Sequence, residues 1–134
     1  MTHSELCQIG VKWLWKTQNS NYNCGNVISE LVTIAGETPD VFGFNSYKTV
    51  LIEVKISRSD FNRDKKKPHR ALNASANYQF YLCPEGLLTP EDIPDKWGLL
   101  WYGEKVTLIK EPEWIPLNYP LAYKILYSLY RRAR

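Results

Sequence analysis

The stretch Thr49-Val50-Leu51-Ile52-Glu53-Val54-Lys55-Ile56 constrains this chain most. Its aliphatic, largely β-branched residues read as a strand. An apolar strand admits charge only where something offsets the cost of removing that charge from water. Side chains alternate faces along a strand, so Glu53 and Lys55 share one face, while Val50, Ile52, Val54 and Ile56 point the other way, into a core. An acid and a base held side by side on a rigid element suit a metal ion and an activated water. The same two residues on an exposed face form an ordinary solvated ion pair, and Glu-x-Lys alone does not separate these readings.

A second acid comes into range through hairpin arithmetic. If the chain turns at Asn45-Ser46-Tyr47-Lys48 and returns antiparallel, Phe44 faces Thr49, Phe42 faces Leu51 and Asp40 faces Glu53. Directly opposed residues lie about 4.5–5.5 Å apart. Two bare carboxylates at that distance repel each other, and a divalent cation between them reverses the sign of the interaction. Removing one of the charges is then expected to leave the metal-free protein as stable as before or more so.

At 134 residues the chain is long enough for one domain with a real core, spanning 1–134. A formal net charge of +3 allows an anionic partner without demanding one. The three cysteines, Cys7, Cys24 and Cys83, are odd in number, widely spaced and outside any metal-ligand motif. They read as reduced thiols of a cytoplasmic protein. The polar start Met1-Thr2-His3-Ser4-Glu5 is no secretory signal, and no run is long and apolar enough to span a membrane. His3 and His69 stand alone, without the paired spacing that zinc sites show.

The expected elements run in the order helix, three strands, helix, strand, then a shorter appendage. A helix is expected from Ser4-Glu5 to Thr17, then strands over Val27–Ile34, Val41–Phe44 and Thr49–Ile56. Ser57-Arg58-Ser59-Asp60 matches a capping box and predicts a helix that Pro68 interrupts, with a second helical piece from His69 to Ala76. Tyr78–Leu82 reads as a strand, and Thr89-Pro90-Glu91-Asp92 as a capped helical turn. Leu99–Tyr102 and Lys105–Ile109 read as a hairpin around Gly103-Glu104, and a helix carrying Leu121, Ile125, Leu126 and Leu129 follows from Tyr119. Together these give an α/β domain with a mixed central sheet flanked by helices.

That order, with Pro39-Asp40 on the second strand and Glu53-x-Lys55 on the third, resembles the PD-(D/E)XK nuclease superfamily and its restriction-endonuclease-like core. Glu30-Leu31, Asp40-Val41, Ile52-Glu53-Val54-Lys55, Ser57, Asp60-Phe61, Asp64 and Trp97-Gly98-Leu99-Leu100 are similar to the MmcB-like DNA-repair proteins. The resemblance covers Val27 to Tyr102. It departs at Lys65-Lys66-Lys67-Pro68, and Val106 to Arg134 lies outside it.

The resemblance implies metal-dependent hydrolysis of DNA phosphodiesters by an endonuclease of DNA repair or phage DNA processing. Asp40 and Glu53 would ligate Mg²⁺ or Mn²⁺, with the Val54 carbonyl as a further ligand and Glu30 as an added acid. Lys55 would position or help deprotonate the attacking water and stabilise charge on the phosphate. Arg58, Arg63, Lys65, Lys66, Lys67, His69 and Arg70 crowd the helix after that strand. They are either phosphate contacts that favour DNA or a solvated face. Asp60 is expected to cap a helix and Asp64 to pair with a lysine within it. The five tryptophans and nine tyrosines can serve as base-stacking platforms or as core and rim residues. A non-catalytic nucleic-acid-binding module on the same fold is the alternative reading.

Overall fold

The computed structural model describes residues 1–16, 21–29, 40–65, 76–117 and 119–133. Helix α1 (His3–Trp15) leads into strands β1 (Asn26–Ser29), β2 (Val41–Phe44) and β3 (Thr49–Val54). Helix α2 (Arg58–Lys65) precedes β4 (Tyr78–Pro84), and a 3₁₀ turn (Pro90–Asp92) precedes β5 (Gly98–Tyr102) and β6 (Val106–Lys110). Helix α3 (Tyr119–Ala133) ends the chain. The strands form one six-stranded sheet in chain order. β3 runs parallel to β4 and β4 to β5, while the remaining neighbours are antiparallel. This is a mixed α/β sheet.

The β2–β3 hairpin has the register that its alternation dictates: Phe42 pairs with Leu51 and Phe44 with Thr49. Asn45 fixes the turn. Its Oδ1 accepts the backbone N–H of Tyr47 at 3.0 Å and of Lys48 at 2.9 Å, and its own N–H donates to the Lys48 carbonyl at 3.0 Å. A side chain that mimics a turn in this way sets the loop length, and loop length sets register.

Both faces of the sheet are buried. Val50, Ile52 and Val54 pack with Leu6, Cys7 and Leu14 of α1. Gly10 lets α1 lie flush, since a Cβ there would meet the Val41 side chain at 3.2 Å. On the other face Leu51 joins Phe42, Phe61 of α2, Tyr81, Leu99 and Trp97. There the Phe61 ring meets the Tyr81 ring edge-on at 5.2 Å, and Trp97 stacks on Tyr81 at 4.6 Å.

Several boundaries differ from the sequence reading. α1 begins at His3 because Thr2 and Glu5 form a reciprocal capping box, which draws the helix start ahead of Ser4. β3 stops at Val54, where the chain leaves the sheet to reach the next cap. Ile56, expected in the core, is therefore 37% exposed. Ser57 does cap α2, its Oγ accepting the Asp60 N–H at 3.2 Å. β5 begins one residue early, at Gly98, where a Cβ would lie 2.7 Å from the Phe80 ring and 2.9 Å from the Lys110 carbonyl. The expected end of the first strand at Ile34 and, apart from Ala76, the helical piece expected from His69 to Ala76 lie outside the described residues.

Candidate functional site

The site lies at the end of the sheet where β2 begins and β3 ends, close to the N-terminus of α1. Asp40 immediately precedes β2, and extending the Val41–Ile52 pairing by one residue sets it opposite Glu53. Beyond the last β2–β3 pair a side chain receives a β3 N–H: Val54 N–H donates to Asp40 Oδ2 at 2.8 Å. Oδ1 lies 3.2 Å from His3 Nε2 on α1, and the Asp40 side chain is 14% exposed. Because Asp40 stands outside the ladder, its carboxylate reaches across the strand end toward α1. The sequence reading had held it to the face of Glu53.

Glu53 is 3% exposed. Alternation puts it on the face of Leu51, and its partner on β4 is Tyr81. The expectation of a site face opposite a single core face is thus corrected: Glu53 belongs to a second buried face covered by α2. Lys55 follows β3, and its N–H continues the parallel ladder to the Leu82 carbonyl at 2.9 Å. It is partly buried. The N–H and C=O of one strand residue point to the same side. The Val54 carbonyl is therefore aimed to the side on which its N–H meets Asp40. Asp40, Glu53 and the Val54 carbonyl are hard oxygen donors, and that set suits Mg²⁺ or Mn²⁺.

Two further residues belong to this corner. Cys7 Sγ lies 3.6 Å from His3 Nδ1, so the His3 ring bridges Cys7 and Asp40. The two ring nitrogens thus face different partners, Nε2 the Asp40 carboxylate and Nδ1 the Cys7 sulfur. One donor atom from each of His3, Cys7 and Asp40 lies within 4.8 Å of the others. The signal in the sequence is the four-residue spacing of His3 and Cys7, which stacks two ligating side chains on one face of a helix. Burial pushes the Cys24 and Cys83 thiols up to about 11, which keeps them protonated.

The basic residues divide. The Arg58 guanidinium donates to both Asp92 oxygens, at 3.1 and 3.0 Å, and to the Leu87 carbonyl at 3.0 Å. This bidentate clasp ties the start of α2 to the 3₁₀ turn, and it holds the Asp92 carboxyl well below the usual carboxylate range. Arg63 is exposed and pairs with Asp60 one turn earlier on α2. Lys65 closes α2. Glu30, Lys66, Lys67, His69 and Arg70 lie outside the described residues.

No protein-family model matches the chain, and no curated protein matches it. Among solved structures, a protein of unknown function from Silicibacter pomeroyi is similar with a TM-score of 0.67 and 18% identity, over 99% of this chain and 90% of that one. The two share a fold along nearly their whole lengths.

Proposed function

We propose that this protein hydrolyses DNA phosphodiesters with Mg²⁺ or Mn²⁺, on a restriction-endonuclease-like core. The carrying observation is the end of the β2–β3 hairpin. Its register sets Asp40 opposite a nine-tenths buried Glu53, and the Asp40 carboxylate is anchored on the Val54 N–H. Asp40, Glu53 and the Val54 carbonyl would hold the cation, with Glu30 as the added acid. The cation, when bound, supplies Lewis-acid activation of water and neutralises charge on the phosphate. Lys55 orients the attacking water and meets the charge that builds on the phosphate oxygens. Arg63, Lys65, Lys66, Lys67 and Arg70 give the DNA backbone a cationic track. The resemblance of Val27–Tyr102 to MmcB-like DNA-repair proteins supports a role in DNA repair, with phage DNA processing as the other setting. The three buried cysteines, none of them in a disulfide, suit a reducing cytoplasm. No helix among the described residues is long and apolar enough to cross a membrane.

The second reading, a binding module without catalysis, draws on the same Asp40. Its hydrogen bond from the Val54 N–H and its contact with His3 Nε2 give that carboxylate a structural role that needs no metal. Supercoiled plasmid and single-stranded DNA, incubated with the purified chain and Mg²⁺ or Mn²⁺, separate the two. Nicking that chelation stops, and that Glu53→Gln lacks, supports the hydrolase. Binding without nicking under either cation supports the module.

A further inference from the structure

We propose that His3, Cys7 and Asp40 form a second cation site, selective for a thiophilic divalent ion such as Zn²⁺ and distinct in donor chemistry from the oxygen site on β3. The donor set is a thiol, an imidazole and a carboxylate, the ligand types of zinc centres with three protein ligands and an open fourth position. Hard cations such as Mg²⁺ have little affinity for sulfur and nitrogen donors, so these residues choose among metals.

The geometry is close to what such an ion needs. With Zn–S of about 2.3 Å and Zn–N of about 2.0–2.1 Å, tetrahedral bonding sets sulfur and nitrogen about 3.5 Å apart. Cys7 Sγ and His3 Nδ1 are 3.6 Å apart. Asp40 has its Oδ2 on the Val54 N–H, which leaves Oδ1, the oxygen facing His3, to ligate. Asp40 Oδ1 faces Nε2, the other ring nitrogen, so on binding the His3 side chain, 38% exposed, turns to bring Nδ1, Cys7 Sγ and Oδ1 onto one ion; one donor atom of each residue already lies within 4.8 Å of the others.

Charge and access fit as well. Binding releases the thiol proton to solvent, and thiolate, carboxylate and a divalent cation then sum to zero. Neutrality matters here because Cys7 is fully buried against Leu6, Leu14 and the β2–β4 face. The exposed His3 ring gives the ion its way in from solvent. α1 and the start of β2 would be pinned together by the ion, so binding also stabilises the fold.

The site shares Asp40 with the oxygen site, and only that sharing rests on the proposed function: a thiophilic ion on Asp40 Oδ1 competes with Mn²⁺. Co²⁺ is the probe, because a cobalt–thiolate bond gives a near-ultraviolet charge-transfer band. Titration of the full chain with Co²⁺ is expected to produce that band, and Cys7→Ser to abolish it. His3→Gln, a change at a partly exposed position that leaves the core untouched, is expected to weaken Co²⁺ binding at least about tenfold. Zn²⁺ is expected to displace the Co²⁺. Glu53→Gln is expected to keep the band while losing Mn²⁺ affinity in calorimetry. A missing band in the wild type, a band that survives Cys7→Ser, or one that disappears with Glu53→Gln overturns the site. Mn²⁺ binding unchanged by Glu53→Gln, with the cobalt band intact, overturns the oxygen site instead.

Discussion

The Asp40 carboxylate holds the Val54 N–H at 2.8 Å, one residue beyond the last ladder pair of β2 and β3. This bond changes what removal of the charge should do. Relief of repulsion with Glu53 is set against loss of a charge-assisted hydrogen bond to a buried strand. Asp40→Ala is expected to lower unfolding free energy by about 1.5–3 kcal/mol in urea titrations without metal. Asp40→Asn keeps an acceptor for Val54 and is expected to cost less. Both are expected to lose Mn²⁺ binding. A neutral Asp40→Ala would show that the Val54 bond contributes no net stability.

The hairpin was legible in the sequence because two local signals agree there. Alternation over Val41–Phe44 and Thr49–Val54 matches the turn chemistry of Asn45, and the observed pairing follows. The burial of Glu53 was not legible, because alternation says which residues share a face and not whether that face is covered. Phe61 on the next helix and the distant Tyr81 and Trp97 cover it. Arg58 illustrates the same limit. Its partner Asp92 is 34 residues away, and a charge run read locally gives no sign that one member is tied down. His3 was read as standing alone and Cys7 as outside any metal-ligand motif, although their four-residue spacing sets both on one face of α1. Their meeting with Asp40 depends on how closely α1 lies on the sheet, which Gly10 permits.

Asp92 makes stability depend on acid. The Arg58 guanidinium, followed by the Thr89 N–H, depresses its folded pKa. A carboxylate more acidic in the folded state contributes stability that is complete above its unfolded value, about 3.9, and is lost as pH falls through the folded value. Asp92→Asn is expected to be modestly less stable than wild type at neutral pH, since the pair is partly exposed and screened. The gap is expected to narrow from about pH 4 downward. Urea midpoints of both proteins across that range check this, and a constant gap would place the effect of the mutation elsewhere.

The cationic positions are expected to differ in their use. Each phosphate neutralised steepens the fall of log affinity against log salt by about 0.9 for duplex DNA. Replacing Lys65, Lys66 and Lys67 with serine is expected to flatten that slope by about 2–3 and weaken binding across sequences alike. Arg58→Ala is expected to leave the slope unchanged, because the guanidinium is already held by Asp92 and Leu87. Fluorescence anisotropy with a labelled duplex over a salt series measures both. Equal slopes in the wild type and the triple variant would make the lysines a solvated face.

Lys55 is expected to act in the chemical step more than in binding. It follows the last residue of β3, two positions from Glu53, and its backbone is fixed by the bond to the Leu82 carbonyl at 2.9 Å. That bond fixes where the side chain departs, beside Glu53, and a charge held near the reacting phosphate stabilises the transition state. Lys55→Ala is expected to slow single-turnover cleavage by about a hundredfold or more, the scale seen when one electrostatic stabiliser is lost. Mn²⁺ affinity is expected to hold or rise, because an ammonium is no ligand and its loss leaves less positive charge beside the cation. DNA affinity is expected to fall only slightly, one phosphate contact among several being removed. Cleavage and binding measured on the same preparation separate the effects. Wild-type cleavage with Lys55 gone would remove Lys55 from the chemistry, and a loss of affinity as large as the loss of rate would make it a binding residue instead.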